Sequence, residues 1–291
     1  MIPPRRFAGD IAEIARRLEL GGIPGDETRG DARALVLHAL GLDRTRAALR
    51  TRPISADEQA MVEPLIARRL ARESVAHILG VRWFHGLEFA VDRRVLIPRP
   101  ETELLVDTSL EHVADRPAPR VLEIGTGSGC IAVALAVRAP SLRIDATDLS
   151  PEALDVARAN AHLHQVEDRI EFHRGDLYDA CPEMGPWDVV VSNPPYIPAD
   201  QLATLAPEVI RNDPDLALRG PGPDGLDLVR RLVEGALERL VPGGLCAVEI
   251  GMGQAEATAA CFQNAGFADV AVVPDPAGIG RVVRGTRAGS G

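Results

Sequence analysis

The sequence contains no lysine, so all 32 of its basic residues are arginines. It also contains no apolar run approaching the roughly 20 residues that a membrane-spanning helix requires. The N-terminal stretch is not typical of a secretory signal, because Asp10 and Glu13 interrupt its apolar residues. These absences predict a soluble, cytoplasmic protein that does not bind a membrane.

The cysteines show no paired spacing and lie at Cys130, Cys181, Cys246 and Cys261. Zinc sites and disulfide frameworks both need closely spaced cysteines, so this scatter predicts neither, and we expect no metal in the functional site. Reduced thiols, as in cytosolic proteins, are the expected state.

The negative charge is concentrated in the later part of the chain. The formal net charge is −10, yet residues 1–90 contain 14 arginines against 12 acidic residues. Nucleic-acid-binding domains are expected to present a basic surface. The distribution therefore argues against direct specific nucleic-acid binding and favours a protein partner.

Hydrophobic periodicity divides the chain into three parts. Residues 10–79 place apolar side chains at helical spacing, and Ser55 with Glu58 forms a capping-box start. Aromatic and branched residues around Gly86 predict a short hairpin, and Pro100 opens a following helix. We therefore expect an N-terminal helical bundle at 1–80, a hairpin linker at 81–100 and a catalytic domain at 101–291.

From Arg120 onward, strand-like runs alternate with glycine turns and helical patterns, as in "RVLEIGTGSG" and "WDVVVSNPPY". This alternation predicts an α/β fold with a mostly parallel sheet covered by helices on both faces. The tail "ADVAVVPDPAGIGRVVRGTR" contains two apolar runs joined by a glycine-rich turn. It predicts an antiparallel pair of strands at the edge of the sheet.

The stretch "VLEIGTGSGCIAVALAVR" places Gly125, Gly127 and Gly129 between a buried strand and a helix. Glycines at this position let a ligand approach backbone N–H groups, which predicts a nucleoside-containing cofactor. Nicotinamide, flavin and S-adenosylmethionine enzymes all use such turns. The glycines here fall as GxGxG, and Cys130 stands where the dinucleotide fingerprint requires glycine or alanine. The spacing therefore departs from the dinucleotide pattern.

Two aspartates follow the next strands of the predicted sheet. Asp148 ends the second strand, where a carboxylate accepts hydrogen bonds from ribose hydroxyls, and Asp176 follows the third strand, within reach of an adenine edge. Both aspartates are also compatible with roles as helix caps or turn residues. Glu123, inside the first strand, is a buried carboxylate that needs a partner, either the cofactor or a backbone N–H.

The run "VVVSNPPYIP" ends a valine-rich strand at Asn193, because proline cannot continue a sheet interior. The side-chain oxygen of Asn193 and the backbone carbonyl of Pro194 provide two acceptors, and both residues are conformationally restricted because each precedes a proline. A planar NH₂ group fits such a pair, with Tyr196 covering its flat face. Orientation toward the sulfonium methyl of S-adenosylmethionine accounts for a motif without histidine or carboxylate. A simple strand-ending turn is the alternative interpretation.

Several motifs spread over residues 10–287 occur together: "DARALVLHALG", "ESVAHILG", "HGLEFAV", "VLIPRPETELLV", "VLEIGTGSG", "SNPPYIP", "GPDGLDLVRRL" and "EIGMGQ". This combination resembles the protein-(glutamine-N5) methyltransferases that modify peptide chain release factors, the PrmC/HemK family. The resemblance implies a Rossmann-like class I S-adenosylmethionine-dependent methyltransferase fold. It also implies methylation of the glutamine side-chain amide in the Gly-Gly-Gln motif of class 1 release factors, with S-adenosylhomocysteine as the second product.

The resemblance further implies the roles of individual residues. The catalytic and glutamine-binding residues are Asn193, Pro194, Pro195 and Tyr196. The cofactor-binding residues are Gly125, Thr126, Gly127, Ser128, Gly129, Asp148, Asp176, Leu177 and Asn193. The helical N-terminal part is similar to the family's partner-docking domain, and the enzyme is expected to act as a monomer. Departures from the family pattern occur at Leu177, Asp213 and Gly280.

Two alternative functions stay open from the sequence. Methylation of the adenine amino group in DNA or RNA uses the same planar NH₂ geometry, but it also needs base flipping and phosphate contacts. A non-catalytic adaptor that only retains the cofactor is the second alternative. The acidic balance argues against the first, and the intact Asn-Pro-Pro-Tyr motif argues against the second.

Overall fold

The computed structural model describes residues 7–181 and 185–289, which form two compact units. The first unit consists of the N-terminal residues up to Gly80 together with Ala206–Asn212, and the remainder forms the second. The N-terminal domain predicted from the sequence, residues 1–80, does not include Ala206–Asn212, which folds with the N-terminal helices. In these described ranges, no helix has both the length and the apolar character needed to cross a membrane.

Helices and strands are numbered in chain order. The helices are α1 (Phe7–Leu20), α2 (Gly25–Ala39), α3 (Arg44–Leu49), α4 (Ala56–Leu70), α5 (Val75–Leu79), α6 (Glu103–Val113), α7 (Cys130–Arg138), α8 (Pro151–Leu163), α9 (Pro207–Asn212), α10 (Asp215–Leu218), α11 (Asp227–Arg239) and α12 (Ala255–Ala265). The strands are β1 (Val81–Phe84), β2 (Leu87–Ala90), β3 (Arg120–Ile124), β4 (Arg143–Asp148), β5 (Ile170–Arg174), β6 (Trp187–Ser192), β7 (Leu240–Glu249), β8 (Ala268–Pro274) and β9 (Gly280–Thr286).

The first unit is a helical bundle with its own apolar core. The predicted capping box starts α4, where Ser55 accepts a hydrogen bond from the N–H of Glu58 and the Glu58 carboxylate accepts one from the N–H of Ser55. The helical run predicted after Ser55 consists of two helices, since Ser74 caps a separate α5. The core is formed by buried apolar side chains that include Leu18, Val36 and Ile66.

Arg69 is a buried cation inside the first unit, with a side chain only 3% exposed. Its guanidinium donates hydrogen bonds to Asp31 at 2.7 Å and to Glu27 at 2.9 Å, both on α2. It also donates to Glu208 on α9 at 2.7 Å. Burying a charge is costly unless it is paired, so these carboxylates allow Arg69 to be buried and fix α9 to the bundle.

The second unit contains the predicted hairpin and a seven-stranded sheet. β1 and β2 pair antiparallel. The strand order of the sheet is β5-β4-β3-β6-β7-β9-β8, in which β5, β4, β3, β6 and β7 run parallel. β9 pairs antiparallel with both β7 and β8, so the predicted antiparallel pair forms one edge. The α/β fold class predicted from the alternating pattern is confirmed.

Both faces of the sheet are buried, which explains its nearly continuous apolar strands. Along β6, Val189 and Val191 face one apolar core with α6 and α7, whereas Val190 faces a second core with α11 and α12. The helices on both faces hold the strands in place. Because β3, β4, β5 and β6 are parallel, their carboxyl ends meet at one edge of the sheet.

We expect Arg69→Met to destabilise the protein by about 1.5–3 kcal/mol, because the partly buried carboxylates of Asp31 and Glu208 lose their charge-assisted hydrogen bonds. Urea unfolding followed by circular dichroism measures the loss. The matched control is Arg16→Met, which removes an exposed arginine that pairs with Glu13 on α1. That control should cost less than about 1 kcal/mol. Equal unfolding midpoints for the two variants would contradict the role assigned to Arg69.

Candidate active site

A cavity of about 530 Å³ opens at the carboxyl ends of β3, β4, β5 and β6, a size typical of ligand sites. The sequence-predicted site residues that line it are Gly125, Thr126, Gly127, Ser128, Asp148, Asp176, Leu177, Asn193 and Pro195. Gly129, Pro194 and Tyr196 lie next to them in the chain but do not belong to its lining. The structure thus brings residues from four strand ends to one crevice.

The glycine turn presents bare backbone to this cavity. Gly125 and Gly127 have φ angles of 73° and 53°, and a Cβ atom added at either would meet no atom within 4 Å. The N–H groups of Gly125 and Thr126 donate to the carbonyl of Thr147, and that of Gly127 donates to Asp148. We expected these N–H groups to face a ligand, but they are used inside the protein. The turn therefore lets a ligand approach the backbone closely, but these three N–H groups are not available to it as hydrogen-bond donors.

Helix α8 holds the turn from behind. A Cβ atom at Gly129 would lie 3.1 Å from Ala157, so glycine permits the close packing of turn and helix. Asn160, which is fully buried, donates from Nδ2 to the carbonyls of Ser128 and Ala90 at 2.9 and 3.0 Å. Its Oδ1 accepts the N–H of Ala90 at 2.8 Å. The turn is therefore a rigid element.

Glu123 is a carboxylate at the end of β3 with only 1% of its surface exposed. Its Oε2 accepts hydrogen bonds from the Thr126 hydroxyl at 2.7 Å and from the Ala132 N–H at 3.0 Å. Burial raises the pKa of Glu123 to about 8, although these hydrogen bonds lower it. Its Oε1 has no partner in the part of the chain that the structure describes, and the residue lines the cavity. The cavity thus contains a buried polar atom available to a ligand.

Asp148 ties the turn to the start of α8. Its Oδ2 accepts the N–H of Gly127 and its Oδ1 accepts the N–H of Ser150, both at 2.9 Å. Burial raises the pKa of Asp148, and these backbone hydrogen bonds oppose that effect. A carboxylate has about four lone-pair sites, so acceptor capacity remains on the cavity side. Its position fits both sequence interpretations, turn residue and ligand-facing carboxylate.

Asp176 and Leu177 form the wall that follows β5. Asp176 accepts a hydrogen bond from Arg231 at 2.8 Å, so part of its carboxylate is already engaged. Leu177 is buried with a φ of 48°, a conformation that leucine rarely adopts. Strained backbone of this kind is concentrated at ligand sites, and Leu177 lines the cavity.

Residues 193–198, hereafter the NPPY segment, follow β6 and are held by several backbone contacts. The carbonyl of Ile197 accepts the N–H of Gly220 at 3.0 Å. The carbonyl of Tyr196 accepts a hydrogen bond from Nε2 of Gln254 at 2.9 Å. Both carbonyls are thus fixed by residues distant in the chain. The segment is more than a simple turn, because its backbone is held on two sides.

A hydrogen bond from its side-chain amide sets the orientation of Asn193. Its Nδ2 donates to the hydroxyl oxygen of Thr102 at 3.1 Å. The hydroxyl of Tyr196 lies 3.4 Å from Oε1 of Glu249, and its ring lies beside Gly251. These contacts hold the hydroxyl and one edge of the Tyr196 ring, and the covering of an acceptor group by its flat face stays a prediction. The amide oxygen of Asn193 is the end left for a ligand.

A positively charged side chain also lies at the cavity. Arg99 lines it and donates a hydrogen bond to Asp213 at 2.9 Å. Burial raises the pKa of Asp213 to about 6, although Arg99 lowers it. The Asp213 carboxylate therefore fixes the guanidinium group of Arg99 at the cavity wall.

Comparison with known proteins decides the family. Residues 101–223 match the methyltransferase small domain, and residues 11–80 match the PrmC N-terminal domain. The chain is 44% identical over 279 residues to a release factor glutamine methyltransferase from Cereibacter sphaeroides, covering 96% of this chain and 97% of that protein. It is 42% identical to another from Deinococcus radiodurans, covering 96% and 98%. The chain belongs to the release factor glutamine methyltransferase family.

This membership confirms the resemblance seen in the sequence and makes the protein a methyltransferase. A solved methyltransferase from Pyrococcus furiosus shares the fold with a TM-score of 0.54 at 19% identity, covering 76% of this chain and 97% of that chain. The sheet of the second unit is thus the Rossmann-like class I methyltransferase sheet.

Four residues that shape the site of this methyltransferase were not predicted as site residues: Thr102, Asn160, Glu249 and Gln254. Thr102 lies in "IPRPETE", and Glu249 and Gln254 lie in or beside "EIGMGQ". These motifs contributed to the family resemblance, but the sequence did not indicate which residues Thr102, Glu249 and Gln254 contact. Thr102 and Asn193, for example, are 91 residues apart in the chain. Pairs at such separations cannot be read from local patterns.

Glu123→Gln should remove part of the pH dependence of stability. The ordinary pKa of 4.5 rises to about 8 in the folded protein, so the folded state keeps a proton that the unfolded chain loses. The free energy of unfolding of this methyltransferase therefore falls as pH rises from about 5 to about 8. That part of the fall should be absent from the variant.

Urea unfolding at several pH values measures this difference. The control is Glu171→Gln on β5, whose side chain is 75% exposed and which should keep the wild-type pH dependence. If Glu123→Gln and the wild type lose stability equally over this range, Glu123 does not hold the extra proton.

Proposed function

We propose that this methyltransferase methylates the side-chain nitrogen N5 of the glutamine in the Gly-Gly-Gln motif of class 1 peptide chain release factors. S-adenosyl-L-methionine is the methyl donor and S-adenosyl-L-homocysteine is the product. The observation that carries the proposal is Asn193, which lines the cavity with its amide nitrogen bound to Thr102, while no described residue bonds its amide oxygen. The relatives at 44% and 42% identity are release factor glutamine methyltransferases by name.

The cavity is the cofactor site in this proposal. Its proposed contacts are Gly125, Thr126, Gly127, Ser128, Gly129, Asp148, Asp176, Leu177 and Asn193. The bare backbone at Gly125 and Gly127 leaves space that a side chain would fill, and Oε1 of Glu123 is a buried polar atom without a partner among the described residues. Both features fit a ligand that carries a nucleoside and amino groups. S-adenosylmethionine supplies a methyl group on a positively charged sulfur, which becomes a neutral thioether after transfer.

Asn193 and Pro194 bind the acceptor amide. The Oδ1 atom of Asn193 and the backbone carbonyl of Pro194 each accept one hydrogen of the glutamine NH₂ group, so the face of the nitrogen points toward the methyl carbon. Pro194 has no N–H to compete. Pro195 lines the adjoining wall, and Tyr196 fixes the segment through Glu249 and Gln254. Because an amide nitrogen is a poor nucleophile, orientation and exclusion of water supply the rate.

The first unit binds the release factor in the same proposal. Its match to the PrmC N-terminal domain supports this division of labour. Residues 1–90 also lack the strong negative charge of the rest of the chain. We further propose that the enzyme acts as a cytoplasmic monomer and does not bind nucleic acids specifically.

Transfer of labelled methyl groups tests this function. Purified protein is incubated with labelled S-adenosylmethionine and, in separate reactions, a class 1 release factor, the same factor with alanine in place of the Gly-Gly-Gln glutamine, and duplex DNA or RNA. Label should enter only the unmodified factor, on the glutamine peptide found by mass spectrometry. Label in nucleic acid alone would establish an adenine methyltransferase, and no label anywhere would favour an adaptor.

Asn193→Ala should lower kcat on the order of 100-fold, the size typical of losing one orienting hydrogen bond at a transition state. The dissociation constant for S-adenosylmethionine should change much less, because the lost contact is directed at the acceptor amide. Steady-state kinetics and calorimetric titration measure the two quantities. Asn264→Ala, at an exposed position of α12, is the matched control and should behave as wild type. Equal losses of turnover and cofactor affinity in Asn193→Ala would speak against the assigned role.

A further inference from the structure

The side-chain amide of Gln254, the residue that precedes α12, joins three separate stretches of the chain. Its Oε1 accepts the N–H of Gly251 at 2.8 Å. Its Nε2 donates to the carbonyl of Tyr196 and to the carbonyl of Asp224, each at 2.9 Å. A glutamine amide has two hydrogens to donate and one oxygen to accept. All three are engaged here, by residues that follow β7, follow β6 and precede α11.

The loop of residues 220–225 packs directly on the NPPY segment. The N–H of Gly220 donates to the carbonyl of Ile197 at 3.0 Å. A Cβ atom at Gly220 would lie 2.8 Å from Cα of Tyr196, and one at Gly225 would overlap the carbonyl oxygen of Tyr196. Glycine at both ends of the loop therefore permits a close contact between the two backbones.

The end of the loop that Gln254 binds is fixed to α11. The carboxylate of Asp224 accepts the N–H of Leu226 at 3.1 Å and pairs with Arg230 on α11. Helix α11 packs on the sheet, where its Leu232 is fully buried. The amide of Gln254 therefore connects the NPPY segment to a support that belongs to a rigid element.

The two prolines of the NPPY segment make it stiff. Each proline fixes its own φ near −65°, and each residue before a proline is held extended. The stretch from Asn193 to Tyr196 therefore has few free dihedral angles, so a displacement of one end is transmitted to the other. The bond from Asn193 to Thr102 holds the first end, and the bond from Gln254 holds the second.

We propose that Gln254 is a positioning residue for methyl transfer, because it fixes the far end of the NPPY segment and so sets the place of the Asn193 and Pro194 oxygens. Gln254 is absent from the cavity lining and acts only through Tyr196. This inference rests on the proposed function, which assigns those two oxygens to the glutamine NH₂ group. A displacement of about 1 Å at a reacting group can cost about 100-fold in rate.

Two substitutions of Gln254 in the full-length protein separate the donor and acceptor halves of its amide. Gln254→Glu keeps the shape and an oxygen for the N–H of Gly251, but it turns a second oxygen toward two carbonyl oxygens. Gln254→Met removes the whole amide at similar volume. In both variants kcat for release-factor methylation should fall by about 10-fold to 100-fold, with Gln254→Glu at least as slow as Gln254→Met. KM for the release factor and the dissociation constant for S-adenosylmethionine should change much less.

The matched control is Gln263→Glu, the same chemical change at an exposed position of α12. It should keep the wild-type kcat. Turnover is counted per site that binds S-adenosylmethionine in a calorimetric titration, so a partly unfolded variant still gives a decisive kcat. Wild-type kcat in Gln254→Glu would overturn the proposal, whether or not Gln254→Met is slow. Equal losses of kcat and of cofactor affinity would also overturn it.

Amide hydrogen exchange separates this inference from the proposed function, because it needs no turnover. The N–H of Ile197 donates to the carbonyl of Leu218, and that of Gly220 donates to Ile197. NMR of isotope-labelled protein should show both N–H groups exchanging about 10-fold faster in Gln254→Glu than in wild type, since local opening becomes easier. Gln263→Glu should leave both rates unchanged.

The two measurements together assign any failure. If exchange accelerates in Gln254→Glu but the wild type methylates no release factor, the proposed substrate is wrong and the hold of Gln254 on the NPPY segment stands. If the wild type methylates release factor but exchange and kcat in Gln254→Glu equal those of the wild type, the positioning role is wrong and the function stands.

Discussion

The parallel pairing of β3 with β4 and β6 places the ends of these strands side by side, and the site depends on that constraint. The glycine turn, Asp148 and Asn193 come from three separate stretches of chain. They share one cavity because each follows directly from a strand held by apolar cores on both faces. Side chains placed on such rigid elements keep their geometry, which a reaction governed by orientation requires.

Two buried acidic side chains lie at the carboxyl-end edge of the sheet, where apolar side chains would be more stable. Glu123 is the next-to-last residue of β3 and Glu249 is the last of β7, and each has one oxygen without a partner among the described residues. Burial raises the pKa of Glu123 to about 8 and that of Glu249 to about 7, so ionisation near neutral pH lowers stability. Perturbed groups of this kind are concentrated at functional sites. The first lines the cavity, whereas the second lies behind the NPPY segment, so the two serve different parts of the site.

Local patterns in the sequence predicted the strands, the glycine turn, the hairpin and the edge pair, because each depends on alternation or turn chemistry over a few residues. They also placed Asn193 after a buried strand. They could not predict that Thr102 holds its amide or that Gln254 holds the carbonyl of Tyr196, since these pairs are 91 and 58 residues apart. The assignment of α9 to the first unit was missed for the same reason, because it depends on the ion pair between Glu208 and Arg69.

The placement of the carboxylates bears on how the amide nitrogen reacts. Glu249 is nearly completely buried, accepts a hydrogen bond from the hydroxyl of Tyr196 and is absent from the cavity lining, so it is not in a position to take a proton from a substrate. The amide of Asn193 offers an acceptor but no basic group. A nitrogen that has gained a methyl group becomes acidic and loses its proton readily, so a base is needed only after transfer, when water suffices. Under the proposed function, the NPPY segment therefore works by direction and distance, and the hydrogen bond from Nδ2 of Asn193 to Thr102 leaves the amide oxygen of Asn193 for the substrate.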